Sequence, residues 1–395
     1  MRELNPQNLT NTAWAFVTAG HAAPALFDAI GMESAGRVRE FTPQNLANTA
    51  WAFTTAGHAA LALFDAIGKE GAGRVRDFKP QELSNAAWAF ATAGHASPAL
   101  FNAIGRESAG RVRELNPQNL ANTAWAFATV GHAAPALFDA IGKESAGRVG
   151  ELNPQNLSNT AWAFATVGHA APALFDAIGK ESAGRVGELK PQDLANTAWA
   201  FATAGHAAPA LFNAIGKESV GRVGEFVPQN LANTAWAFAT AGHGALALFD
   251  AIAVKASNEV DEFKPQNLAN TAWAFATAGH AAPALFDAIG REAAGRVREL
   301  NPQDLANTAW AFAKAGHAAP ALFNQHFARR CDALAGEFSV EALTQLHLWR
   351  LWYAGEHACS DGLPGAALLA RCEAAFRASK TKPSKAQRQV EAMGP

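Results

Sequence analysis

The chain has 395 residues, 49% apolar and 17% charged, with a formal net charge of -2. That balance gives ample material for a core and excludes a polycation that would hold nucleic acid by bulk charge alone. Three cysteines, Cys331, Cys359 and Cys372, lie near the C-terminus; an odd count without a CxxC pair gives no disulfide framework, and packed, reduced thiols are expected.

No apolar run reaches membrane-spanning length, because Asn, His, Asp or Lys interrupts each one. The first residues, MRELNPQNL, enter a repeating pattern at once, so neither a signal peptide nor a transit peptide is expected there. The pattern then dominates. Trp14, Trp51, Trp88, Trp125, Trp162, Trp199, Trp236, Trp273 and Trp310 are each 37 residues apart, and the histidines from His21 to His317 keep the same step. A fixed period of this length is the signature of a solenoid, in which each unit buries its apolar face only against its neighbours.

In the first copy Pro6 stands at the first turn of a helix, where a missing N–H costs nothing, with Asn5 before it as a cap. Helix A is expected from Pro6 to Ala19, with Gly20 as a left-handed stop. Pro24 starts helix B, expected to continue to about Arg39. Leu9, Ala13 and Phe16 form the core stripe of helix A, and Leu26, Phe27, Ile30 and Val38 the matching stripe of helix B. Trp14 is read as projecting toward the side of helix A, as a seam between adjacent units. Gly31 and Gly36 weaken helix B by about 1 kcal/mol each relative to Ala, so folding should be cooperative across units. The period ends after Phe323. Two further helical segments are expected, around 339–356 and 363–379, closing the apolar face of the last repeat.

Opposite the core stripe of helix A lie Asn11 and Thr18, with Ala15 between them. Asn11 recurs as Asn48, Asn85, Asn122, Asn159, Asn196, Asn233, Asn270 and Asn307, and Thr18 as Thr129 and others. An amide offers donors and an acceptor, the chemistry that reads the edge of an unpaired base. The same row also fits an internal ladder that only satisfies backbone or neighbouring side chains between units. The place three residues earlier changes between amide and carboxylate: Asn8, Asn45, Glu82, Asn119, Asn156, Asp193, Asn230, Asn267 and Asp304. Such a change suits a base-discriminating position, and it equally suits the first turn of a helix. Thr12 is replaced once, by Ala86.

A row of arginines, Arg37, Arg74, Arg111, Arg148, Arg185, Arg222 and Arg296, invites a phosphate-tracking role. Each follows a Glu by four residues, however, and the seventh unit reverses the pair to Lys255 and Glu259. The ion-pair reading is therefore favoured, leaving Arg39, Arg76, Arg113 and Arg298 as phosphate candidates. The histidines, about 10 Å apart along a stack, cannot converge on one metal ion. The lone pair His357 and Cys359 is a weak metal signal. No nucleophile elbow, phosphate loop or isolated carboxylate pair is present, so neither catalysis nor a cofactor is expected.

The unit PQNLANTAWAFATAGH, followed by PALFDAI and GRVRE, resembles the octotricopeptide repeat family over residues 4–323, through Pro43, Gln44, Leu46, Asn48, Trp51, Ala52, Gly57 and their equivalents. The segments LTQLHLWRLWYAGE, LARCEAAF and PSKAQRQV resemble the region that precedes a RAP domain in such proteins. The resemblance implies sequence-selective binding of single-stranded RNA, about one base per repeat, in the stability, processing or translation of chloroplast or mitochondrial transcripts.

The expected architecture is an all-α solenoid, a superhelix of nine 37-residue helical hairpins over residues 1–325, with a C-terminal helical cap over 326–378 and a basic, mobile tail over 379–395. The expected partner is single-stranded RNA in a concave groove. An extended peptide or helix on that face is the alternative, for a monomer without membrane contact.

Overall fold

The computed structural model describes residues 3–356 and 362–380. The chain forms two compact units, Met1–Leu211 and Phe212–Pro395. The described residues contain twenty α-helices and no strand.

One repeat illustrates all. In the fourth, Asn116 accepts the Asn119 N–H at 2.8 Å, and Pro117 opens the A helix. The helix ends in a Schellman turn: Gly131, at φ 64°, donates to the Ala128 carbonyl, and the next N–H, of His132, donates to the Phe127 carbonyl at 3.0 Å. Nine glycines, from Gly20 to Gly316, share this left-handed conformation among the described residues. The B helix runs Pro135–Gly147, shorter than expected, because a 3-10 turn over Val149–Glu151 intervenes before the buried Leu152.

The Arg of this turn ties the repeat to itself. Arg148 Nη1 donates to the Leu115 carbonyl at 2.9 Å, across the start of the same repeat, and the guanidinium also holds Glu144 at 3.3 Å and Glu151 at 2.9 Å. Both glutamates and the carbonyl hold the guanidinium, which accounts for the constancy of the Glu–Arg spacing. Arg37, Arg74, Arg111, Arg185 and Arg296 repeat the clamp on Leu4, Phe41, Phe78, Leu152 and Phe263. In the reversed pair, Lys255 meets Glu259 at 2.5 Å.

In the first unit the A helices are α1 (Pro6–Thr18), α3 (Pro43–Thr55), α5 (Pro80–Thr92), α7 (Pro117–Thr129), α9 (Pro154–Val167) and α11 (Pro191–Ala204). Between them run the B helices α2 (Pro24–Gly36), α4 (Leu61–Gly73), α6 (Pro98–Gly110), α8 (Pro135–Gly147) and α10 (Pro172–Gly184). Each A helix packs on the next A helix and each B helix on the next B helix, giving two layers. Leu120, Ala124 and Phe127 are fully buried between the layers with Leu137, Phe138 and Ile141. Adjacent repeats interlock through edge-to-face rings such as Phe138 and Phe164, 5.0 Å apart. Gly142 lets this happen, since a Cβ there would stand 3.1 Å from the Phe164 ring. The helix weakness that Gly31-type residues bring is thus the condition for close packing.

The boundary between the units falls inside α12 (Pro209–Arg222). The second unit continues with α13 (Pro228–Thr240), α14 (Leu246–Asn258), α15 (Pro265–Ala278), α16 (Pro283–Gly295) and α17 (Pro302–Ala315). Then the pattern changes. Helix α18 begins only at Gln325 and ends at Ala333, after Asn324 Oδ1 accepts the His326 N–H at 2.7 Å. Arg330 takes over the clamp, donating to the Leu300 carbonyl at 3.1–3.2 Å. Helix α19 (Val340–Glu356) packs on α17 as the next member of the A layer, and α20 (Ala366–Lys380) packs on α19. Trp349, fully buried, meets Phe323 and Phe327 at 5.2–5.3 Å, and the Tyr353 hydroxyl donates to the Phe323 carbonyl. The C-terminal segment therefore has three helices rather than the two expected, and acts as a degenerate continuation of the stack. His357 and Cys359, and all of the tail beyond Lys380, lie outside the described residues.

Candidate nucleic-acid interface

An A helix has neighbours on three sides: a B helix behind and an A helix to left and right. The fourth side is open. On a wheel of 100° per residue, Gln7, Asn11, Trp14 and Thr18 fall within about 60° of one another, and Phe16 lies opposite them. Burial follows this arithmetic. Gln118 and Thr129 are exposed, Asn122 and Trp125 are half-buried, and the same classes recur through the interior repeats. Each repeat therefore presents an uncharged stripe of Gln, Asn, Trp and Thr. Lys314 replaces the Thr in the last copy.

The asparagines Asn48, Asn85, Asn122, Asn159, Asn196, Asn233, Asn270 and Asn307 are all half-buried on this open side, and Asn11, at the end of the row, is exposed. Among the described residues, Asn307 is the one member whose amide is hydrogen-bonded to protein, accepting from Gln303 at 2.8 Å and Gln345 at 3.0 Å. A continuous internal ladder of amides does not form. The rest of the row keeps donors and acceptors unfilled by protein.

The row three residues earlier behaves differently. Glu82, Asn119, Asn156, Asp193, Asn230, Asn267 and Asp304 are buried, between 4% and 9% exposed, while Asn45 is half-buried and Asn8 exposed. Four of these buried side chains cap helices. Glu82 accepts the Lys79 N–H at 2.8 Å, Asp193 the Lys190 N–H at 3.3 Å, Asn230 the Val227 N–H at 3.4 Å and Asp304 the Asn301 N–H at 3.2 Å. At Lys79, Lys190 and Val227, which supply no side-chain cap, the residue three places on serves the helix end. The exchange of amide for carboxylate here follows the demands of the first turn. Burial pushes the Asp193 and Asp304 carboxyls above the usual carboxylate range, although the accepted N–H in each case pulls the other way. The Thr12 position is interior too: Thr123 is fully buried, and the Thr10 and Thr49 hydroxyls meet at 2.8 Å. Ala15 is expected on the open side, but Ala126, its equivalent, is fully buried between A helices.

Trp14 and its equivalents form the expected seam between units, but on the open side. They share the open side with the asparagines instead of filling the interior between units. Successive indoles do touch, with centroids 6.5 Å apart for Trp125 and Trp162, 6.4 Å for Trp162 and Trp199, and 6.2 Å for Trp236–Trp273 and Trp273–Trp310. The result is a surface seam. Residue type alone does not put the Gln and Trp rows in the site; the angular arithmetic does.

The histidines are joints. His132 packs on Phe127 of its own repeat and Phe101 of the preceding one, each at 5.7 Å, and its Nε2 meets Asn102 at 3.1 Å. His58, His95, His169 and His206 meet Asp28, Asp65, Asp139 and Asp176 at 2.9–3.0 Å. Among the described residues no group of three or more His, Cys, Asp or Glu is placed to hold a metal. Arg39, Arg76, Arg113 and Arg298 are exposed. No helix among the described residues is long and apolar enough to cross a membrane.

Comparison with curated proteins finds no match. Among solved structures, a chain of the full-length AP-3 complex in an intermediate open conformation aligns with a TM-score of 0.30 and 9% identity, covering 95% of this chain and 70% of that one. Similarity that low bears on neither fold nor function. The family comparison is informative: residues 2–248, more than half of the chain, match the RNA-editing substrate-binding complex 6 protein. With its helical repeats and its open row of amides, the chain belongs to the RNA-editing substrate-binding complex 6 protein family.

Proposed function

We propose that the protein binds single-stranded RNA along the open side of its A helices, about one base per repeat, without catalysing a reaction. The observation that carries this reading is the row Asn48 to Asn270, half-buried and unfilled by protein hydrogen bonds, repeated at each step of the stack. Half-burial matters. It fixes the amide in direction and strips part of its water, so a base edge arriving there replaces few competing contacts. Family membership supplies the second support, since the family is described by an RNA-editing substrate-binding complex. The resemblance to octotricopeptide repeats points to organellar transcripts as the targets. Near-identical repeats favour a monotonous target sequence.

Protein partners enter through the same family description, which names a complex. An extended peptide laid on the amide row is the second reading. Replacing Asn122 and Asn159 together by Ala tests the first. Two lost base contacts of about 1 kcal/mol each weaken RNA binding roughly 30-fold. The melting temperature should stay within a degree or two, because neither amide bonds to protein. Unchanged RNA affinity in a folded double variant would refute the assignment.

A further inference from the structure

Nine tryptophans on the open side of a repeat array require a reason. A stack whose core Leu, Phe and Ile are buried to within a few per cent leaves Trp14 48% exposed and the other eight half-buried. Large rings left part-solvated in contiguous runs, Trp125–Trp162–Trp199 in one unit and Trp236–Trp273–Trp310 in the other, mark a surface that something covers. Other surface places in the unit drift freely: the residue after Gly31 is Met32, Lys69, Arg106 or Val254 in different copies. The ring does not drift.

The geometry points to a base-stacking ladder. Neighbouring indoles in Trp125–Trp162–Trp199 lie 6.4–6.5 Å apart at 32–34°, and those in Trp236–Trp273–Trp310 lie 6.2 Å apart at 30–31°. Flat rings in full overlap stand much closer, so each indole is offset from the next and keeps part of its π-face open. An unpaired base has a complementary face, and stacking on aromatic side chains is tolerant of base identity. The Asn three residues before each Trp lies about 60° around the helix, beside the ring. A base lying on Trp162 thus presents its edge to the amide of Asn159. Ring and amide have separate roles, the indole supplying affinity for any base and the amide supplying choice. The stripe carries no Arg or Lys until Lys314, so recognition is directed at bases more than at phosphates.

This ladder rests on the RNA-binding reading, and the test separates the two. Full-length protein is titrated with a nine-nucleotide random-sequence RNA, with an abasic ribose-phosphate chain of the same length, and with an RNA duplex, following tryptophan fluorescence and anisotropy. The ladder predicts quenching and binding with the single strand, and at least about tenfold weaker binding of the abasic chain and the duplex. The variant Trp125→Ala with Trp162→Ala should lose about tenfold or more per ring, and Phe at both places should restore part of it. Equal affinity for the abasic chain would overturn the ladder while leaving RNA binding intact, and so would parent-like binding by a folded Ala variant. If the parent binds no RNA but binds an extended peptide in the same assay, the RNA reading itself falls. The abasic comparison needs no mutant, so the proposal remains testable should the Ala variant not fold.

Discussion

At the scale of single residues, position in the helix outweighs residue type. Asn119 and Asn122 are the same amino acid three places apart, yet one is buried in the first turn of its helix, its N–H held by Asn116, and the other faces the open side. Composition and spacing make both equally good base readers; only the angle and the first-turn N–H groups separate them. Asp193 carries the consequence furthest. Its carboxyl, pushed upward by burial, is stabilised relative to the unfolded chain when protonated and penalised when ionised. Stability contributed by protonation therefore appears as pH falls through the folded-state value and is missing at neutrality. Asp193→Asn, which installs the residue found here in six other copies, should raise the melting temperature at pH 7. The gain should shrink as pH approaches about 4, measured by thermal unfolding at both values. A gain that grew on acidification would contradict the burial argument.

At the scale of the element, the hairpin is stated plainly in the sequence. Pro6, Gly20 and Pro24 mark real boundaries, and Leu9, Ala13, Phe27 and Ile30 are buried where the wheel puts them, while Phe16 and Leu26 of this end repeat are half-buried. Helix B stops at Gly36 instead of Arg39 because the Arg37 clamp requires a tighter turn, a long-range bond that no local pattern reveals. The same wheel arithmetic puts the Trp row on the open side, where the expected contact between adjacent units is made as a surface seam. The tenth A helix is hidden in the sequence because α19 keeps little of the consensus beyond Leu343 and Gln345. Two expectations follow. Arg148→Ala should cost about 1–2 kcal/mol through the lost carbonyl bond and partly exposed ion pairs, with RNA affinity unchanged, since the guanidinium is engaged within its own repeat. A large loss of RNA binding in that variant would restore the phosphate-tracking role. Gly131→Ala should cost about 1 kcal/mol in chemical denaturation, because only glycine holds φ 64° without strain.

At the scale of the whole molecule, a chain of net charge -2 binds nucleic acid only by a route other than bulk attraction. In the proposed reading the open side supplies one: amides to read base edges and indoles to stack them, set at one per repeat within each compact unit. Its charge poverty makes a quantitative demand. A ligand held through many phosphates loses affinity steeply with salt, whereas one held through bases contributes only about 0.7 to the logarithmic slope for each phosphate contacted. The most direct measurement is therefore the affinity of the full chain for single-stranded RNA enriched from a random pool, compared at about 50 and 200 mM salt. This account predicts enrichment of unpaired sequences and a fall in affinity of less than about tenfold between the two conditions. Failure to enrich any RNA, or a thousand-fold fall in affinity, would contradict it.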